Sequence, residues 1–219
     1  MKLYFKIILF LMITATLFAD KNEDEKTINA LSDKFFKMKT LICDFEQVYY
    51  NASFGNDTKP QIGKLYIQKP GKMKWEYLKP EKKDILSDGK TLWVYRKDQN
   101  LSVSQPGFGE MKNQTGMSFL WGNGKLRDQF DVSVSSESGE KNEIVLVLTP
   151  KVPSASMDFI YMLIDNKTYD IKKLTLYDKQ RNENRFKFSN LKYNSKVEVE
   201  FTPPKDAKEF KTPDISGKS

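Results

Sequence analysis

The stretch Gly63–Tyr95, GKLYIQKPGKMKWEYLKPEKKDILSDGKTLWVY, decides the fold. Leu65 and Ile67 alternate with polar residues, and so do Met73, Trp75 and Tyr77 beyond a Lys69-Pro70-Gly71 turn. A period of two puts one face of each run in oil and the other in water, the mark of a half-buried strand. A third and a fourth run then face each other across Asp88-Gly89, a pair suited to the positive φ of a tight hairpin. Together these runs predict an antiparallel meander with one face of large aromatic side chains.

Working outward, Ile28, Leu31, Phe35 and Met38 fall on one stripe at helical spacing, which predicts an amphipathic helix over 25–38. A strand follows from Leu41 to Tyr50, and then a polar loop from Asn51 to Pro60. Past a short strand at Leu101–Ser104, residues 105–128 lose alternation and gain glycines, with Met111, Met117, Phe119, Leu120 and Trp121 close together. A glycine-punctuated, methionine-bearing segment of this length inside a compact domain suits a lid; the plain alternative is a surface loop with a short helix. Strands are expected again at Phe130–Ser135, Glu143–Thr149, Met157–Ile164, Ile171–Tyr177, Arg185–Leu191 and Val197–Phe201, before a charged tail that reads as frayed. About ten strands and two helical segments make a mainly β (α+β) protein, a large curved antiparallel sheet whose inner face helices must cover.

Met73, Trp75, Tyr77, Leu92, Val94, Phe159, Tyr161, Phe186 and Phe188 are the candidate lining of that face. Core packing accounts for many of them. Two short helices are little to fill such a bowl, so an apolar cavity beneath a lid of Met117, Phe119 and Leu120 is the sharper expectation.

Composition removes most chemistry. The chain has no histidine, hence no Ser-His or Cys-His nucleophile and no His-based metal site. No Asp or Glu pair is singled out by its spacing. Binding is favoured over catalysis, with no metal site expected. The lone Cys43, in the run Leu41–Phe45, has no partner for a disulfide within the chain and reads as a buried, inert thiol.

At the start, Lys2 and Lys6 precede an apolar run from Ile7 to Phe18 and a small Ala19, the order of a secretory signal peptide over 1–19, with an uncleaved anchor as the alternative. The run is short of the ~20 residues that span a bilayer. Its removal takes two lysines and no acids from a net charge of +7, leaving +5 spread along residues 20–219 as one domain. Charge so dispersed describes a solvated surface and not a nucleic-acid site.

Five pieces in a fixed order carry a resemblance: Gly63-Lys64-Leu65; Lys69-Pro70 followed by Trp75; Ile85 through Tyr95; the 115–121 segment; and Leu148-Thr149-Pro150-Lys151 with Phe201-Thr202-Pro203-Pro204 closing. This order resembles the outer-membrane lipoprotein carrier (LolA) family over nearly all of the chain after residue 19. The resemblance implies an incomplete β-barrel with its mouth plugged by the 25–38 helix and the 105–128 segment. It implies a periplasmic monomer without cofactor or chemistry. Such a carrier takes triacylated lipoproteins from an inner-membrane ATP-driven transporter to an outer-membrane receptor, holding the acyl chains on the inner face. Where the family places an arginine that latches the lid helix, this chain has Lys69, either a looser latch or a solvated turn lysine. Met73 stands where the family often has an aromatic at the pocket mouth. Three other readings stay open: the receptor itself, which needs a lipid-bearing cysteine where Asp20 lies; a periplasmic sensor or regulatory binding protein of the same fold; and a lipid hydrolase, which the missing histidine disfavours.

Overall fold

The computed structural model describes residues 22–108, 117–122, 125–135, 139–140, 142–153 and 157–213. The expected signal segment 1–19 and Met111 lie outside them. A helix, α1, spans 22–37, and its stripe of Ile28, Leu31 and Phe35 is buried, as is Met38 just beyond it. The strands are β1 (Thr40–Asn51), β2 (Asn56–Asp57), β3 (Gln61–Gln68), β4 (Lys72–Lys79), β5 (Lys83–Asp88), β6 (Leu92–Arg96) and β7 (Leu101–Gln105). Two single-turn helices follow, α2 (Ser118–Trp121) and α3 (Leu126–Gln129). The chain then runs through β8 (Phe130–Val134), β9 (Glu143–Pro150), β10 (Phe159–Asp165), β11 (Ile171–Tyr177), β12 (Glu183–Tyr193) and β13 (Lys208–Lys211).

All thirteen strands belong to one sheet, ordered β13-β7-β6-β5-β4-β3-β1-β12-β11-β10-β9-β8, with β2 paired to β1 alone. Its two edges, β13 and β8, remain apart, so this is an open curved sheet and not a closed barrel. The long β1 is the keel, joining the meander β3–β7 to the meander β8–β12. Its alternating Leu41, Cys43 and Phe45 are buried on the inner face, level with Leu65, Ile67, Trp75 and Phe186 of its neighbours.

Two close approaches need glycine. A Cβ on Gly63 would sit 2.1 Å from the Glu76 carbonyl oxygen and 2.7 Å from the Phe45 ring, so that ring lies on bare backbone. Gly63→Ala is expected to cost about 1–3 kcal/mol by overpacking, read as a lowered urea midpoint at constant slope; an unchanged midpoint refutes the contact. At the ends of two adjoining hairpins, Gly71 (φ +78) and Gly89 (φ +98) pack backbone to backbone. Gly89 alone of the Asp88-Gly89 pair has positive φ; Asp88 serves by accepting from the backbone N–H groups of Lys90 and Thr91 at 2.8 and 2.9 Å.

Three expectations are corrected. Residues 197–201 join no ladder; Phe201 is buried on the outer face of the sheet, its ring centre 6.0 Å from Nζ of Lys72, which faces outward from β4. The tail is not frayed at 208–211: β13 runs parallel to β7 and extends the sheet. Most consequential, Phe159 and Tyr161 are on the outer face. In β10 it is Ile160, Met162 and Ile164 that point inward, while Phe159, Tyr161 and Tyr177 form their own cluster outside, Phe159 stacked on Tyr177 at 4.6 Å. The run from Phe159 to Ile164 is apolar on both faces, so alternation could not fix its phase.

Candidate functional site

The inner face is a continuous apolar surface. At its centre Trp75 meets Phe45, Phe186 and Phe188 at ring-centroid distances of 5.0, 5.3 and 6.4 Å, and Phe45 also meets Tyr77 at 5.0 Å. Edge-on and tilted pairs of this kind exceed their area burial by ~0.5–1.5 kcal/mol each. Met73, Trp75, Tyr77 and Phe186 are buried, and Phe188 is half-buried and packed against the core. Leu92 and Val94 share this face by register, opposite Ser87 and Ile85, but are only half-buried at its periphery. The sequence reading missed Phe45, although its alternation with Leu41 and Cys43 was there to be seen. It could not have found Ile160 or Met162, whose strand is apolar on both sides.

Two pieces cover the face. Phe35 of α1 and Phe119 of α2 meet edge-on at 5.8 Å, and Phe119 meets Phe130 at 6.1 Å. Met117, Leu120 and Trp121 are buried alongside, which places the expected lid residues Met117, Phe119 and Leu120 against the inner face. Among the described residues the inner face is filled, not the empty bowl that was expected. The space left between Phe35, Leu41, Cys43, Leu65, Leu120 and Phe188 is a cavity of about 10 Å³, room for one water molecule at most. Burial there pushes the Cys43 thiol up to about 12, consistent with an inert side chain.

Polar contacts fasten the cover to the sheet. Lys69, in the β3–β4 turn, donates from Nζ to the Phe35 carbonyl at 2.6 Å. That carbonyl belongs to the last turn of α1, where backbone acceptors lack helical partners and a cation is favoured. Desolvation lowers the Lys69 ammonium to about 8. Across the mouth Lys34 of α1 reaches the β10–β11 turn, bonding Asp170 at 2.5 Å and the Thr168 carbonyl at 2.6 Å, its ammonium 4.3 Å from the Tyr193 ring centre. Burial raises the Asp170 carboxyl, but hydrogen bonds from Lys34 and Thr168 outweigh it and hold the group below its ordinary value. Arg127 of α3 pairs with Glu25 at 2.6 Å, and the Gly71 N–H donates to the Trp121 carbonyl at 2.8 Å. Lys34, Asp170 and Arg127 carry no motif that singles them out in sequence.

Among the described residues no cluster of His, Cys, Asp or Glu could hold a metal. The only buried carboxylate among them, Asp84, lies on the outer face and is neutralised by Lys97 and Lys74 at 2.9 and 3.4 Å.

The geometry defines a class by its fold: an open curved sheet whose apolar inner face is covered by helical segments. Comparison with known proteins gives the family. The family model for outer membrane lipoprotein carrier protein LolA matches residues 36–202, and this chain belongs to that family. It is 30% identical over 171 residues to the outer-membrane lipoprotein carrier protein of Chromobacterium violaceum, covering 76% of this chain and 79% of that one. The protein of the same name from Methylococcus capsulatus is 30% identical over 169 residues, covering 76% and 78%. These relatives are named as carriers, not enzymes. Among solved structures, an uncharacterized conserved protein from Thermus thermophilus shares the fold with a TM-score of 0.55 at 14% identity, over 86% of this chain and 99% of that one.

Proposed function

We propose that this protein is a periplasmic lipoprotein carrier that shields the acyl chains of triacylated lipoproteins on its inner face and delivers them from an inner-membrane ATP-driven transporter to an outer-membrane receptor. The observation that carries this reading is the division of the core into two kinds of partner. The sheet is tied together by ladders, whereas α1 and α2 lie on it through apolar packing and a handful of polar contacts. A cover so attached can lift without breaking the sheet.

The energetics suit a carrier without fuel of its own. Each buried methylene gains ~0.8 kcal/mol, so a triacyl anchor with tens of them needs enclosure in water. An interior already filled by Phe35, Phe119 and Leu120 must give those contacts up on loading. Guest and cover then compete for one surface, which lowers net affinity and lets a receptor with a better cavity empty the carrier.

The test is native mass spectrometry of the protein purified from periplasm. Lipopeptide is expected to co-purify with it, and to be absent when the protein is made without its secretion signal. Protein from both sources carrying no lipid, and failing to take up a tripalmitoyl-cysteinyl peptide in vitro, would defeat the carrier reading.

A further inference from the structure

The inner face is not apolar to its end. Past Phe45 on β1 stands Gln47, past Trp75 on β4 stands Tyr77, and past Phe186 on β12 stands Asn184, all on the same side of the sheet. They form one chain of hydrogen bonds. The Tyr77 hydroxyl donates to Gln47 Oε1 at 2.8 Å, and Gln47 Nε2 donates to Asn184 Oδ1 at 2.8 Å. Gly63 makes the first link possible, since a side chain there would stand between β1 and β4. All donors point one way, and the series ends in the Asn184 Nδ2 amide, for which the described residues provide no acceptor. Lys83, in register with Tyr77, lies 4.9 Å over its ring, and Arg96 follows Lys83 across the sheet.

Gln47 and Asn184, the latter near the start of β12, are half-buried and hold inner-face positions where branched or aromatic side chains pack a sheet best. The open end of the series therefore lies where a ligand's acceptors can reach it. Burial pushes the Tyr77 hydroxyl up to about 12, so it remains a donor in neutral solution.

We propose that Tyr77, Gln47 and Asn184 form the subsite for the ester and amide carbonyls of the acyl anchor, so that its hydrocarbon tails run toward α1 and its peptide leaves beside Lys83. This rests on the carrier reading and adds to it a direction and a chemical selectivity. The anchor supplies acceptors where the ladder ends in a donor, and the aromatic surface starts where the carbonyls stop.

The test compares two probes on the full-length mature protein: a tripalmitoyl-cysteinyl peptide, and an analogue of equal chain length with its two esters replaced by ethers. Lifting the cover contributes equally to both, so the ratio of dissociation constants isolates the carbonyls. Wild type is expected to favour the ester probe by about tenfold, the worth of one to two hydrogen bonds. Gln47→Leu and Asn184→Leu are expected to bring the ratio close to one by weakening the ester probe more than the ether probe, which offers only its amide carbonyl. Tyr77→Phe, which keeps the ring packed, should lower the ratio in the same direction and serves where a leucine variant does not fold. A wild-type ratio near one, or variants that weaken both probes alike, would overturn the subsite and leave the carrier reading standing. Failure of wild type to bind either probe would overturn both.

Discussion

Trp75→Ala is expected to lower the unfolding free energy by about 3–5 kcal/mol, the range for removing a large aromatic from a packed interior. For a domain of ordinary stability, about 5–15 kcal/mol, that is about a fifth of the total or more. The reason is local. Trp75 is 5% exposed and meets three phenylalanines, Phe45 of β1 and Phe186 and Phe188 of β12, and so joins the two meanders across the keel strand. Phe186→Ala should cost a similar amount, and the double variant should fall short of the sum by about 0.5–3 kcal/mol, since the two share one contact and one cavity. Urea unfolding followed by circular dichroism reads all three variants. A loss below about 1 kcal/mol for Trp75→Ala, the scale of an ordinary surface change, would mean that the inner face is not closed in solution, and that the cover stands open without a guest.

Much of this architecture was legible in the sequence, and the failures have identifiable physical causes. Residues 63–95 gave themselves away because polar and apolar residues alternate cleanly and the turns are marked by Pro70-Gly71 and Asp88-Gly89. The stripe of Ile28, Leu31 and Phe35 likewise fixed α1 and its buried side. The phase of β10 was lost because both its faces are apolar, and aromatic bulk was taken as the sign of the interior when Ile160 and Met162 hold that place. Residues 197–201 alternate like a strand because Phe201 packs on the outer face of the sheet; apolar period-two burial does not require a ladder partner. Strand β13 has the opposite problem. All four of its residues are exposed, so no pattern marks it, and only backbone pairing with β7 makes it a strand. Whether the bowl is filled or vacant was beyond composition altogether, because the same aromatics line either one. The hydrogen-bonded ladder from Tyr77 to Asn184 joins residues 137 positions apart at its second link, a pairing no local pattern reports.

The second large effect is expected at Lys69, and its sign follows from where the ammonium sits. With α1 in place the group is lowered to about 8 by desolvation; with α1 lifted it returns to the ordinary 10.5. Below pH 8 it is charged in both states, and closure bears the cost of desolvating that charge. Between about 8 and 10.5 the open state binds the proton more tightly, so closure gains stability as pH rises and levels off above 10.5. Hydrogen exchange in α1 is the measurement, because lifting the helix exposes its amides without unfolding the sheet. After correction for intrinsic exchange rates, protection of residues 28–36 should rise from about pH 8 to about pH 10 in wild type. Lys69→Met and Lys69→Arg should both be flat over that range, the first because nothing titrates and the second because guanidinium stays charged. The two then separate at about pH 7, where arginine can still donate to the Phe35 carbonyl and should retain protection. Methionine leaves that carbonyl without its donor, and should lose protection by about tenfold, equivalent to the ~1–2 kcal/mol of a charge-assisted bond at a helix C-terminus. Protection in Lys69→Met equal to wild type near neutral pH, with the same rise in alkaline solution, would show that this lysine fastens nothing and that the hold on α1 belongs to Lys34 and the aromatic contact of Phe35 with Phe119.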